Sequence, residues 1–225
     1  MARDVDGRRW WLKMSNNPQG PKVLVNDYVV GSVARLIDAP ACEVAVARIP
    51  EELDGYEYAP GLTLRAGWLV HASRHVEDAF EARGELTRLD RDDNSSRAAR
   101  IVALYDWCWG ADDQWLYCQT DDQKVYSHDH GHYLPKGPSW TIEDLQAVVD
   151  QPHLPNLTTR LDPEALRDAA AKIGAVTRSA IRSILCSVPA SWAVSDQELE
   201  ALGWFLERRA GEVGRRLRSA AGGGS

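Results

Sequence analysis

The chain has 225 residues, of which 44% are hydrophobic and 26% charged, so it can bury a large core and is neither disordered nor fibrous in its main state. Its 26 basic and 33 acidic side chains give a formal net charge of −7. This balance excludes a surface built throughout to bind nucleic acid or anionic lipid.

Neither a secretory signal nor a membrane span is indicated. Residues 1–7 lack the apolar core of a signal peptide, and no apolar run approaches the roughly 18 to 20 residues that cross a bilayer. We therefore expect a cytoplasmic protein with no membrane partner. The cysteines form no C-x-x-C pair, which predicts free thiols rather than a zinc ribbon or a disulfide scaffold. They are Cys42, Cys108, Cys118 and Cys186.

The first fifty residues predict a small strand–helix–strand unit. Residues 10–14 read as a strand that leaves a hairpin at Asp6-Gly7, with a first strand that is short or absent. Apolar residues at helical spacing predict a helix over 21–37. The valine- and alanine-rich stretch 43–49 predicts a buried strand.

The middle of the chain is uneven in its signals. No helix or strand is assigned over 51–96. Over 97–107, apolar residues recur at helical spacing and predict a helix. Residues 115–118 and 124–127 predict a hairpin around a polar turn. Acidic and amide side chains precede this hairpin and another carboxylate follows it, so they are expected at the same end.

The remainder predicts helices. Starts are indicated by Thr141 with Asp144, by Asp162 before a proline, and by Ser195 with Glu198. The last helix is expected over 196–218, with its arginines solvated, and 220–225 as a flexible tail. The nine tryptophans are expected to complete the core rather than to stack on a base.

Two groups of residues could carry phosphoryl-transfer chemistry. A lysine on a strand, Lys13, and an acid on the following helix, Asp27, can pair and hold an ammonium against phosphates. At the hairpin, Asp112, Gln114 and Asp129 offer the oxygen ligands that magnesium prefers and a carboxylate for an acceptor hydroxyl. Taken singly, residues of these types more often carry ordinary surface charge.

A metal-dependent hydrolase is the alternative that the histidines raise. His128, His130 and His132 alternate in sequence, and His71 with His75 form a second pair at helical spacing. None of the framing motifs of zinc enzymes is present. Glycine-rich phosphate loops of Walker or Rossmann spacing are also absent from the sequence.

As an ordered set, these motifs resemble the small bacterial HipA-like kinases over about residues 10 to 140. The set comprises Lys13 in a strand, Asn17-Pro18-Gln19-Gly20, Leu24-Val25-Asn26-Asp27 opening a helix, and Asp129-His130-Gly131-His132 after a hairpin. The resemblance implies an α+β, two-lobed protein-kinase-like fold with a reduced N-terminal lobe, 1–50, and a mainly helical C-terminal lobe, 51–219.

The resemblance also implies roles for individual residues. Lys13 and Asp27 would contact ATP, with Asp27 standing where a glutamate is usual. Asp129 and Gln114 would hold Mg²⁺, and Asp112 would orient the acceptor hydroxyl. Ile49 and Glu51 would belong to the linker that meets the adenine.

The implied function is an ATP-dependent phosphotransferase that acts on a protein serine or threonine, in a toxin–antitoxin setting. The alternative is a catalytically degenerate pseudokinase that binds nucleotide or a protein partner. In neither case do we expect direct binding to nucleic acid.

Overall fold

The computed structural model describes residues 1–222, apart from the side chain of Thr159. Within this range the chain forms a mixed α/β fold with three small sheets and six α-helices. The strands are β1 (Ala2–Arg3), β2 (Arg9–Lys13), β3 (Val44–Arg48), β4 (Glu57–Ala59), β5 (Leu62–Thr63), β6 (Leu69–Arg74), β7 (Ala79–Arg83), β8 (Gln114–Cys118) and β9 (Lys124–Ser127). The helices are α1 (Val23–Leu36), α2 (Asn94–Trp107), α3 (Ile142–Val148), α4 (Pro163–Gly174), α5 (Arg178–Leu185) and α6 (Asp196–Gly222).

The first sheet has the strand order β1-β2-β6-β3, with every pair antiparallel. The short first strand of the predicted N-terminal hairpin is confirmed, since β1 has two residues. β3 was expected to be buried, but it lies at the sheet edge and only Val44 in it is fully buried.

α1 covers one face of this sheet, and the helix predicted over 21–37 is confirmed as Val23–Leu36. The packing is close at Gly31, where an added β-carbon would lie 2.6 Å from Val44 Cγ1. A side chain there would force helix and strand apart, so glycine at this position sets how closely α1 approaches the sheet.

Residues 51–68 do not begin a separate helical part of the chain. They form a 3-10 turn and the small hairpin β4–β5 and then return to the first sheet as β6, which lies between β2 and β3. The boundary expected after residue 50 therefore falls inside this sheet. β6 was missed because Val70, His71 and Ala72 are buried in succession and do not alternate.

The predicted hairpin is confirmed as β8 and β9, with β7 pairing on the other side of β8. Trp115 is opposite Ser127 in this register, so the residues just before β8 and just after β9 lie at one end. Backbone contacts attach that end to the loop before β3: Cys42 N donates to Ser127 O (3.1 Å), and Ser127 N donates to Pro40 O (2.7 Å).

The helix starts predicted from capping residues are confirmed. Thr141 and Asp144 form a reciprocal capping box, as do Ser195 and Glu198, and the Asp162 side chain accepts from Glu164 N. Helix α5, capped by Thr177, was not predicted.

The C-terminal tail was expected to start at residue 220, but α6 continues to Gly222. The last three residues of the expected tail, 223–225, lie outside the described residues.

The helices enclose the main core, and one predicted surface arginine lies inside it. Arg209 has no exposed surface and contacts Asp106, which is also fully buried. Of the four cysteines, Cys42, Cys108 and Cys118 are buried thiols and Cys186 is exposed. None of the helices in residues 1–222 is long and apolar enough to span a membrane.

Candidate active site

Lys13 lies between two carboxylates that come from distant parts of the chain. It is the last residue of β2, and its Nζ is 2.7 Å from Asp27 Oδ2 on α1. The same ammonium contacts Asp129 Oδ1, just after β9. A strand, a helix and a hairpin therefore converge at one ammonium group, and we call Lys13, Asp27 and Asp129 the charged cluster.

The electrostatics of the cluster are dominated by burial and by the ammonium. Burial acts to lower the pKa of Lys13, but Asp27 and Asp129 outweigh it and hold that pKa above its usual value. Burial raises the pKa of Asp27 despite the adjacent ammonium. For the more exposed Asp129, Lys13 outweighs burial and the pKa lies below its usual range, so this carboxylate is ionised at neutral pH.

The backbone of the turn after β9 presents Asp129 to the cluster. Asp129 has left-handed dihedral angles (φ 54°, ψ 59°) and is followed by a 3-10 turn over His130–His132. Gly131 is required here, because an added β-carbon would lie 2.5 Å from Val23 Cγ2 and 3.2 Å from Lys13 Nζ. The turn therefore packs directly against α1 and the end of β2.

Asn26, the neighbour of Asp27 on α1, is fully buried, and its amide nitrogen and its amide oxygen are both hydrogen-bonded. Its Nδ2 donates to Gly131 O (2.9 Å) and to Tyr133 O (2.8 Å). Its Oδ1 accepts from Trp140 Nε1 (2.9 Å). A single side chain thus links α1 to the middle of the 3-10 turn and to the residue just after it.

The histidines around the cluster do not form a metal site. His71 and His75 were expected at helical spacing, but His71 is on β6, opposite Lys13, and His75 follows the strand. His130 Nε2 shares a hydrogen bond with Ser127 Oγ (2.7 Å). Across residues 1–222, no three His, Cys, Asp or Glu side chains are arranged to hold a metal ion, so the histidine-based hydrolase hypothesis has no site.

Burial lowers the pKa of His71 to about 3, with Lys13 contributing, and that of His130 to about 4. Between pH 6.5 and these values the unfolded chain takes up protons that the folded chain does not. The contribution of these two histidines to the free energy of unfolding is therefore fully present above pH 6.5 and is lost as the solution is acidified. The raised pKa of Asp27 acts in the opposite direction, because the folded chain then binds its proton more readily.

A His71→Leu variant isolates the histidine contribution to this pH dependence. We expect its free energy of unfolding, measured by urea denaturation from about pH 7.5 to 4.5, to fall less steeply than that of the wild type. Parallel pH profiles would show that His71 is not held neutral by the fold.

At the open end of the hairpin, Asp112 and Gln114 contact each other. Asp112 is exposed and has a positive φ of 60°, whereas Gln114 is buried at the start of β8. The Gln114 amide nitrogen donates to Asp112 Oδ2, which leaves the amide oxygen for another partner. Both residues lie at the end of the hairpin from which Asp129 follows.

Ile49 and Glu51 lie apart from the charged cluster. The Ile49 side chain is 2% exposed and packs in a second small core with Met14 and Val70, whose positions alternate with those of Lys13 and His71. Glu51 is exposed in the 3-10 turn after β3. The chain leaves the first sheet later, at residues 75–78 between β6 and β7.

Sequence reasoning missed Asn26 as part of the site, and it assigned His71 to a metal-binding pair with His75 and not to the surroundings of Lys13. Asn26 had a signal, since it is a polar residue between apolar residues of α1 on the buried side. The position of His71 next to Lys13 had no signal, because only the pairing of β6 with β2 brings it there.

The comparisons with known proteins show a likeness at the level of the fold. No protein-family model and no curated protein sequence matches the chain. Among solved structures, the chain is similar to the crystal structure of a Helicobacter pylori proinflammatory kinase, CtkA, with a TM-score of 0.64 and 12% sequence identity. The match covers 99% of this chain and 90% of that one, so the likeness concerns the whole fold.

Proposed function

We propose that the protein is an ATP-dependent phosphotransferase of the HipA-like kind, acting on serine or threonine of a protein. The carrying observation is the contact of Lys13 with both Asp27 and Asp129, residues far apart in sequence, within a kinase-like fold. In this proposal the first sheet with α1 forms a small lobe and the C-terminal helices form a larger one, with ATP between them.

The proposed roles follow from the charges. Lys13 offers its ammonium to the phosphates, and Asp27 keeps it in place. Asp129, ionised and 30% exposed, is a suitable magnesium ligand, and the free amide oxygen of Gln114 is a second donor of the type that Mg²⁺ prefers. These residues therefore fit the ion. When bound, Mg²⁺ and ATP supply the transferable phosphoryl group and neutralise its charge.

Asp112 is the proposed acceptor-orienting residue. It is exposed at the mouth of the hairpin, where a hydroxyl from another protein can reach it. Its hydrogen bond with Gln114 ties the acceptor position to the proposed metal ligand. The separation of the two roles is supported by the burial of Gln114 and the exposure of Asp112.

The adenine is better placed beside residues 75–78 than beside Ile49 and Glu51. Trp11 lies two positions before Lys13 on the same face of β2 and is 54% exposed. Its Nε1 donates to His75 Nδ1 (3.1 Å), which brings this ring to the start of the connection. An exposed indole face beside this connection suits a stacked base.

The proposal is tested by melting curves with and without Mg-ATP, together with a γ-phosphate transfer assay. We expect the wild type to gain melting temperature with Mg-ATP and to transfer phosphate, because the ligand binds only the folded state. An Asp129→Asn variant should lose both while retaining the Lys13–Asp27 pair and most of its stability.

The possible results separate three conclusions. A shift without transfer would favour the pseudokinase alternative. No shift in the wild type would contradict nucleotide binding altogether. A large loss of melting temperature in Asp129→Asn without ligand would mark Asp129 as a structural residue.

A further inference from the structure

The helix and the turn that carry the two acids of the charged cluster are joined by further contacts, apart from those of Lys13. α1 carries Asp27, and the 3-10 turn carries Asp129 at its start. If only Lys13 joined these elements, they could separate whenever its ammonium bound a ligand in place of the two carboxylates. The contacts around Asn26 provide a second, uncharged connection.

We infer that Asn26 is a positioning residue that fixes the turn carrying Asp129 to α1, so that Asp129 and Lys13 are in place before any nucleotide binds. Both hydrogens of the Asn26 amide nitrogen are used in hydrogen bonds to this part of the backbone. The amide donates to carbonyls two residues apart, at Gly131 and Tyr133. No water competes there, since Asn26 has no exposed surface.

The steric fit at Gly131 supports the same reading. Its Cα lies so close to α1 that an added β-carbon would be 3.1 Å from Asp27 Oδ2 and 2.5 Å from Val23 Cγ2. The Asn26 hydrogen bonds thus hold the turn so close to α1 that only a glycine fits at position 131. Turn and helix share one defined register, since any sliding would break two hydrogen bonds and create a clash.

The anchor extends to the C-terminal helices through Trp140. Its indole Nε1 donates to Asn26 Oδ1, and the Lys22 ammonium lies 4.1 Å from its ring centroid. Lys22 also pairs with Glu198 (2.6 Å), in the first turn of α6. α1 is therefore fixed at its N-terminal end both to the turn and to α6.

The chain offers a matched control in Asn94, the other buried asparagine at a helix start. Its Nδ2 donates to Arg88 O (3.1 Å) and Gln123 O (2.8 Å), and its Oδ1 accepts from Val125 N (3.0 Å). Asn94 thus makes the same number of hydrogen bonds, but holds the opposite end of the hairpin from the charged cluster. Asn26→Leu and Asn94→Leu remove equivalent bonds at different places.

The experiment is hydrogen–deuterium exchange of full-length Asn26→Leu and Asn94→Leu, read at peptides covering residues 128–134 and 119–125. We expect Asn26→Leu to raise exchange in 128–134 by about 10-fold or more and to leave 119–125 unchanged, because two buried hydrogen bonds are lost there. Asn94→Leu should do the reverse. Equal effects of both variants on both peptides would overturn the inference.

The effect on nucleotide binding rests on the proposed function and is measured separately. The dissociation constant for Mg-ATP should rise about 10-fold in Asn26→Leu and stay within about 2-fold in Asn94→Leu. If the wild type binds no Mg-ATP, the proposed function fails while the exchange data still decide the positioning role. Exchange that rises in 128–134 without any loss of affinity would overturn the functional part of the inference.

A milder variant guards against failure to fold. Trp140→Phe keeps an aromatic ring beside Lys22 and removes the donor to Asn26 Oδ1, together with a small part of the buried ring. We expect its exchange in 128–134 to rise by about 3-fold, in the same direction as Asn26→Leu. No change in that peptide would contradict the inference even if Asn26→Leu could not be purified.

Discussion

Lys13→Met is expected to reduce the proposed phosphate transfer by about 10²- to 10³-fold or more, since it removes the one ammonium in the charged cluster and with it the contact proposed for the phosphates. Methionine keeps a similar length of apolar chain, so packing against β2 and α1 is largely preserved. The assay is transfer from γ-labelled ATP under saturating magnesium, together with the dissociation constant of Mg-ATP.

The same variant has a signature that does not depend on catalysis. Without the ammonium, Asp27 and Asp129 face each other uncompensated, and the pKa of Asp27, already raised by burial, must rise further. The variant should therefore be destabilised most at neutral pH and recover relative to the wild type as the pH falls. Urea denaturation at several pH values measures this.

Lys172→Met is the matched control for Lys13→Met. Lys172 on α4 pairs with Asp38 at 2.8 Å, but its partner is 70% exposed. We expect this variant to keep wild-type transfer, because its ion pair is screened by solvent. Equal losses of activity in both variants, or full activity in Lys13→Met, would contradict the proposed role of Lys13.

Asp106→Ala is expected to destabilise the protein by about 3 to 5 kcal/mol, because it leaves a buried guanidinium without its counter-charge. Asp106 and Arg209 have no exposed side-chain surface, and their side chains are 2.8 Å apart. Arg216 also binds the carboxylate, at 2.7 and 3.0 Å, and His153 N donates to it at 2.9 Å. For a chain of this length the loss corresponds to roughly 6 to 20 °C in melting temperature.

Asp150→Ala tests whether burial is the cause. Asp150 pairs with the neighbouring Arg208 on α6, yet both side chains are more than half exposed. Its removal should change the free energy of unfolding by no more than about 0.5 kcal/mol. Similar losses of unfolding free energy in Asp150→Ala and Asp106→Ala would show that burial does not increase the contribution of the Asp106 network to stability.

The elements with local signals could be predicted from the sequence. α1 has apolar residues at helical spacing, β8–β9 alternate around a polar turn, and the capping residues of α3 and α6 mark their own helix starts. The pairing of Lys13 with Asp27 was also accessible, because a strand and the next helix commonly pack together.

What could not be predicted depends on pairing between distant segments. β6 enters the first sheet between β2 and β3, and no local pattern specifies that order. Arg209 was expected at the surface, as most arginines are, because its partner Asp106 lies about a hundred residues earlier. The site roles of Asp112, Gln114 and Asp129 are still predictions, and the Asp129→Asn variant tests the last of them.

The exposure of Cys186 makes the unmodified sequence suitable for site-specific labelling. The other three thiols are buried, which hinders their alkylation. Burial also raises the pKa of Cys42 to about 12 and holds that of Cys108 above its usual value, which disfavours the reactive thiolate of both. Cys186 ends α5 beside Ser187, whose hydroxyl is 2.9 Å from the Tyr28 hydroxyl on α1. A fluorophore attached there would report on α1 in solution without any engineered cysteine.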